Sequence, residues 1–68
     1  MDQGFIDAEP IMKFFKYDHL PAHLQPHSKP WADLAVTLMQ TLPRNAERST
    51  ALRKLLEGKD AAVRAALP

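Results

Sequence analysis

The fold is decided by residues 28–42, which read SKPWADLAVTLMQTL. Ser28 is a favourable N-cap, and Pro30 then falls in the first helical turn, where its missing N–H does no harm. Apolar side chains follow at intervals of three and four residues, namely Trp31, Leu34, Ala35, Leu38, Met39 and Leu42. This spacing is typical of one face of an amphipathic helix. Because Pro43 stops the helix, the sequence predicts a helix over residues 28–42.

A second helix is predicted over residues 45–67. Asn45 is a favourable N-cap, and Glu47 suits the positive end of the helix dipole. Helical spacing then relates Leu52, Leu55, Leu56, Ala62, Val63, Ala66 and Leu67. Gly58 costs about 1 kcal/mol relative to Ala, but the apolar register is kept on both sides of it. A connection this short makes the two helices antiparallel neighbours, so we expect an all-α fold with an antiparallel helical hairpin.

The residues ahead of the hairpin are expected to form a lead-in and an arm. Residues 1–10 are acidic and look loose, and residues 11–16 fit either one helical turn or an extended arm. Residues 17–27 hold at most a short turn of helix beginning at Pro21. We therefore divide the chain into an acidic lead-in, residues 1–13, and an arm with the helical hairpin, residues 14–68.

The size of the chain favours assembly. A domain of 68 residues buries too little surface for more than a few kcal/mol of stability, and small scaffolds usually need an additional constraint. The chain has no cysteine, so disulfides and cysteine-based zinc sites are excluded. We expect a homo-oligomer, in which the apolar helix faces of several copies share one core.

Charge and hydropathy limit the classes of partner that the chain can bind. Nine Lys/Arg against eight Asp/Glu leave a net charge of +1, far from the basic excess of a nucleic-acid-binding domain. No apolar run reaches the ~18 residues of a membrane span, and the first residues do not read as a signal peptide. We expect a cytoplasmic protein without membrane or nucleic-acid-polymer partners.

Metal binding and catalysis are disfavoured by the sequence. His19, His23 and His27 recur every fourth residue, but Pro21 and Pro26 interrupt the helix that would align them. The chain also lacks a glycine-rich phosphate loop and a nucleophile elbow. We expect no enzyme, no metal and no cofactor.

Two groups of residues suit a nucleotide. Phe15, Lys16 and Tyr17 combine rings that stack on bases with a cation for phosphate, although Phe15 and its neighbour Phe14 suit the core or an interface better. Basic and hydroxyl side chains collect near two helix starts, where phosphate binding is favourable: Lys29, Arg48, Ser49 and Arg53. The alternative for this second group is an ordinary solvated face.

Two stretches resemble one known family. Residues 15–21, FKYDHLP, are similar to the aromatic-x-Tyr-His-x-Pro arm of the hairpin domain shared by phage anti-CBASS and anti-Thoeris proteins. Residues 43–57, PRNAERSTALRKLLE, resemble the hairpin turn and second helix of the same family. The resemblance covers about residues 14–67. Asp18 departs from it, because the family often has His there.

The resemblance implies an oligomer, often a hexamer, that sequesters immune signals in the infected host cell without cleaving them. Its ligands would be cyclic di- or trinucleotides or cyclic ADP-ribose isomers, held in pockets between protomers. By this resemblance Tyr17 stacks on a base, Lys29 meets phosphate, and Arg48, Ser49, Thr50 and Arg53 contact the ligand from the second helix. The alternatives are a DNA-binding regulator and a structural, partner-binding helical module without a small ligand.

Overall fold

A computed structural model describes residues 3–68, which contain helices and no strand. The elements are α1 (Gln3–Ala8), a 3₁₀ helix (Pro10–Phe15), α2 (Gln25–Thr41) and α3 (Ala46–Ala65). The predicted all-α fold class is confirmed. Met1 and Asp2, which belong to the predicted acidic lead-in, lie outside the described residues.

Helix α2 begins at Gln25, so the predicted start at Ser28 is wrong. Pro26 lies in the first turn, where it begins the helix rather than breaking it. Ser28 is consequently a fully buried residue within the helix instead of its N-cap, and Pro30 lies in the helix interior. The predicted end is confirmed, because Leu42 is the C-cap and donates its N–H to the carbonyl of Leu38.

Helix α3 begins as predicted and ends at Ala65, two residues before the predicted end at 67. Asn45 is the N-cap, and its side-chain oxygen accepts a hydrogen bond of 2.9 Å from the backbone N–H of Arg48. Gly58 lies against the ring of Trp31: a Cβ atom at this position would be 2.8 Å from Cζ3 of Trp31. The glycine therefore allows a close contact between α2 and α3 that a larger residue would disturb.

The segment ahead of α2 is more ordered than predicted. The expected loose lead-in is helical over Gln3–Ala8, and the ambiguous residues 11–16 are mostly a 3₁₀ helix. Residues 17–24 are joined to α2 by the side chain of Gln25, which donates hydrogen bonds to the carbonyl oxygens of Leu20 at 3.0 Å and Asp18 at 3.5 Å. These bonds fix the turn that leads from the arm into the helix.

The core lies where the 3₁₀ helix packs against both α2 and α3. Its buried members are Met12, Phe15, Ala32, Ala35 and Leu52. Helix α1 has no buried residue and makes its main contacts with the 3₁₀ helix. The arm thus completes the core with two large side chains, Met12 and Phe15, while α1 lies at its edge.

Several large apolar side chains remain outside this core. Those that are about two-fifths or more exposed are Phe14 at 54%, Leu34 at 48%, Leu42 at 39% and Leu67 at 50%. Scattered exposed apolar residues are common, but here they occur on the 3₁₀ helix, on α2 and its C-cap, and just after the end of α3 in a very small domain. None of the helices within residues 3–68 combines the length and apolarity that a bilayer crossing requires.

Candidate functional site

Six of the eight predicted ligand-binding residues line two separate clefts, whereas Lys29 and Arg48 line neither of them. The first, which we call the arm cleft, has a volume of about 280 Å³ and is lined by Phe15, Lys16, Tyr17, Asp18, Ala32, Asp33 and Val36. The second, the α3 cleft, has a volume of about 500 Å³ and is lined by Glu9, Pro10, Ile11, Ser49, Thr50, Arg53 and Lys54. The two groups of predicted residues therefore do not form a single site within one chain.

The end of the 3₁₀ helix shapes the arm cleft. Phe15 is fully buried, belongs to the core and also lines the cleft. Lys16 follows in an extended conformation, with φ −59° and ψ 139°, and its side chain is exposed. Tyr17 is half-buried, packs against the core and lines the cleft. Tyr17 is thus the aromatic side chain that can offer part of its ring to a ligand here.

Lys29 lies beside the arm cleft, one helical turn before Asp33. Its Nζ atom is 2.8 Å from Oδ2 of Asp33, and both side chains are exposed. The hydrogen bond that Lys29 donates to Asp33 raises the pKa of Lys29, and the charges of Asp33 and of a Tyr17 phenolate act in the same direction. Lys29 therefore carries a positive charge at neutral pH, within electrostatic reach of the Tyr17 hydroxyl.

The rim of the arm cleft carries balanced charge. Lys16, Asp18 and Asp33 line the cleft, and Lys29, which lies outside the lining, offsets the charge of Asp33. A phosphate that approaches Lys29 must compete with Asp33 for its ammonium group. The cleft can therefore combine stacking on Tyr17 with a phosphate contact only if the Lys29–Asp33 pair rearranges.

Arg48 faces an internal carboxylate. Its Nε and Nη2 atoms donate to Oε1 of Glu9 at 3.3 and 3.2 Å, and its Nη1 atom donates to the carbonyl of Leu42 at 3.3 Å. The side chains of Arg48 and Glu9 are only 7% and 11% exposed. The Ser49 hydroxyl also donates to Glu9, at 3.2 Å to Oε1. Two predicted ligand residues therefore already bind an oxyanion that belongs to the chain itself.

The remaining predicted residues of α3 lie on the open side of the α3 cleft. The Thr50 hydroxyl donates to the carbonyl of Ala46 at 3.1 Å, and Arg53 is exposed. Lys54, which the sequence did not single out, adds a cation to the same cleft and lies 3.6 Å from Glu57. This cleft is the more basic of the two, with Glu9 as the acidic residue of its wall.

Sequence reasoning missed two carboxylates that contact the predicted site residues. Asp33 follows Lys29 by four residues, and that spacing alone indicates an ion pair on a helix. Glu9 lies 39 residues from Arg48, and no local pattern connects them. Within residues 3–68, no three His, Asp or Glu side chains are grouped so as to hold a metal ion.

Comparison with protein-family models finds no matching family, and comparisons with curated proteins and with solved structures find no significant match.

Proposed function

We propose that the chain binds a cyclic nucleotide second messenger in the arm cleft and sequesters it without cleavage. The observation that carries the proposal is a cleft lined by the Tyr17 ring and Lys16, with Lys29 paired to Asp33 of the same lining. A planar face with neighbouring cations matches a base with its phosphate. Residues 15–21 also resemble the phage family, and this resemblance supports the same class of ligand. It further implies that the chain opposes antiphage signalling in an infected host cell.

Binding in this proposal has two parts. One base stacks on Tyr17, which contributes about 1–3 kcal/mol per base. The phosphate meets Lys29, whose ammonium turns from Asp33 to the phosphate, with Lys16 as a second cation. Cyclic di- and trinucleotides and cyclic ADP-ribose isomers all present a base beside a phosphate, so they are the ligand classes to test.

The proposed architecture is an antiparallel hairpin that assembles into a homo-oligomer. The start of α2 contacts the end of α3 through Trp31 and Gly58, and the end of α2 contacts the start of α3 through Leu42 and Arg48. These two contacts support the antiparallel arrangement. A volume of about 280 Å³ lies at the lower end of the usual range of ~300–1,000 Å³ for ligand pockets, and in this proposal a second copy supplies the opposite wall.

The test compares two substitutions of Tyr17 in calorimetric titrations with cyclic di- and trinucleotides. Tyr17→Ala removes the ring and should weaken binding by about 1–3 kcal/mol. Tyr17→Phe keeps the ring and serves as the matched control, with affinity close to that of the unaltered chain. Circular dichroism must show the same helicity in all three proteins, because Tyr17 also packs against the core. Equal affinity of the Ala and Phe variants would contradict stacking on Tyr17.

A second candidate is a structural, partner-binding helical module without a small ligand. The exposure of Phe14 and Leu34 favours it, since both side chains could dock another protein. This candidate predicts that aromatic and basic substitutions in the arm, such as those of Tyr17 and Lys16, affect assembly only. A DNA-binding regulator has weaker support, because phosphate contacts dominate such binding and the net charge is only +1.

A further inference from the structure

We propose that Arg48 and Ser49 form an oxyanion-binding site that Glu9 of the same chain occupies, so that an external phosphate group enters only when Glu9 leaves. The inference does not depend on the nucleotide proposal, because it concerns the α3 cleft and any small oxyanion. It assigns Glu9 the role of an internal competitor.

The geometry of the pair supports a preformed site. Nε and Nη2 of Arg48 and the hydroxyl of Ser49 converge on Oε1 of Glu9, at 3.3, 3.2 and 3.2 Å. The Ser49 hydroxyl is also 3.4 Å from the second carboxylate oxygen. Three donors around one oxygen suit a phosphate as well as a carboxylate, because both place a charged oxygen within reach of a guanidinium.

The guanidinium is held in place independently of Glu9. Nη1 of Arg48 donates to the carbonyl of Leu42, and the backbone N–H of Arg48 is bound by the Asn45 side chain. Because these contacts come from the connection between α2 and α3, they remain when Glu9 is removed. The donors would then still point to the position that the carboxylate occupies.

Access depends on the segment that carries Glu9. The Arg48 side chain is 7% exposed, so no external anion reaches it while Glu9 is in place. Helix α1 has no buried residue, whereas Met12 and Phe15 anchor the following 3₁₀ helix in the core. Displacement of residues 3–9 exposes Phe5 and Ile6, which are partly buried against the core, and leaves Met12 and Phe15 in place. It would extend the basic α3 cleft as far as Arg48.

Thermal unfolding with inorganic phosphate tests the proposal. The variants are Glu9→Ala and Glu9→Gln, and the matched control is Glu57→Gln, which removes an exposed carboxylate from α3. Sodium phosphate is titrated against sodium chloride at constant ionic strength, and helicity is followed by circular dichroism. We expect phosphate to raise the melting temperature of Glu9→Ala in a saturable manner. Its apparent affinity should exceed that of the unaltered chain roughly tenfold or more, as expected when charged hydrogen bonds become available.

The controls separate site binding from general salt effects. Glu57→Gln should respond to phosphate like the unaltered chain, and the double variant Glu9→Ala with Arg48→Met should lose the response. If Glu9→Ala is unfolded without phosphate, recovery of helicity on adding phosphate supports the site. The same weak response in the unaltered chain, Glu9→Ala and Glu9→Gln would show that Glu9 is only a structural partner of Arg48.

Discussion

Glu9 and Arg48 are 39 residues apart in the chain, yet their side chains form an ion pair of 3.2 Å and are only 11% and 7% exposed. Buried charges are costly to desolvate, and this pair is compensated by further hydrogen bonds from Arg48 to Leu42 and from Ser49 to Glu9. The contact joins the predicted lead-in to the start of α3. The N-terminal segment therefore contributes to the stability of the hairpin.

Arg48→Met should destabilise the fold strongly. Removing one partner leaves the Glu9 carboxylate buried without its counter-charge, which costs about 3–5 kcal/mol. A chain of 68 residues has a total stability of only about 3–10 kcal/mol, so the variant should be partly unfolded at room temperature. Urea denaturation followed by circular dichroism measures the loss.

The matched control for this prediction removes both charges. The double variant Glu9→Leu with Arg48→Met should lose less stability than Arg48→Met alone, because no unpaired charge remains in the interior. If Arg48→Met alone is as stable as the unaltered chain, the Glu9–Arg48 pair contributes nothing to the free energy of unfolding.

Gly58→Ala should destabilise the chain, although helix propensity alone predicts a gain of about 1 kcal/mol. The new Cβ atom would lie 2.8 Å from Cζ3 and 3.1 Å from Cη2 of Trp31, so the ring must move. Overpacking of this kind costs about 1–3 kcal/mol and outweighs the propensity term. Chemical denaturation gives the stability, and tryptophan fluorescence reports the displacement of the ring.

The Trp31→Leu background provides the control for Gly58. Without the indole ring, Gly58→Ala meets no obstacle and should gain about 1 kcal/mol from helix propensity. Stabilisation by Gly58→Ala in the presence of Trp31 would contradict the close contact between α2 and α3.

The pH dependence of the Lys29–Asp33 pair follows from the raised pKa of Lys29. A raised pKa in the folded state means that the pair stabilises the fold fully below the ordinary value of 10.5 and loses this effect as the pH rises through the raised value. Asp33→Asn removes the main cause of the shift, so NMR titration of Lys29 should give a lower pKa. The effect on stability is small because both side chains are exposed. An unchanged Lys29 pKa in Asp33→Asn would contradict the contact.

The proposed assembly predicts a molar mass that is a multiple of one chain in size-exclusion chromatography with light scattering. Leu34→Glu places a charge on an exposed apolar position of α2 and should lower that mass. Gln40→Glu adds the same charge at an exposed polar position of the same helix and should leave the mass unchanged. A single-chain mass for the unaltered protein would contradict the oligomer.

The parts of the fold that the sequence predicts are those set by local chemistry. The end of α2 at Leu42 and the cap at Asn45 follow from short-range rules, and both are found. The start of α2 was misjudged because Pro26 and Pro30 each fit a first turn, and Pro26 is the one that lies there. Local patterns cannot decide such a choice.

The candidate site was predicted by residue type but not by arrangement. Tyr17 and Lys16 share a cleft as their adjacency suggests, and Lys29 lies next to it through its pair with Asp33. The residues of α3 lie in a separate cleft, and the partner of Arg48 comes from a segment 39 residues away. Long-range partners of this kind depend on tertiary packing, and the local spacing of residues in the sequence does not predict them.

The most direct test of the central claim is a calorimetric titration of the unaltered protein with cyclic di- and trinucleotides and cyclic ADP-ribose isomers. The ligand recovered after heat denaturation is then analysed by chromatography. We predict saturable binding of at least one ligand, which is returned chemically intact. The absence of binding across the whole panel, or recovery of a cleaved ligand, would contradict sequestration.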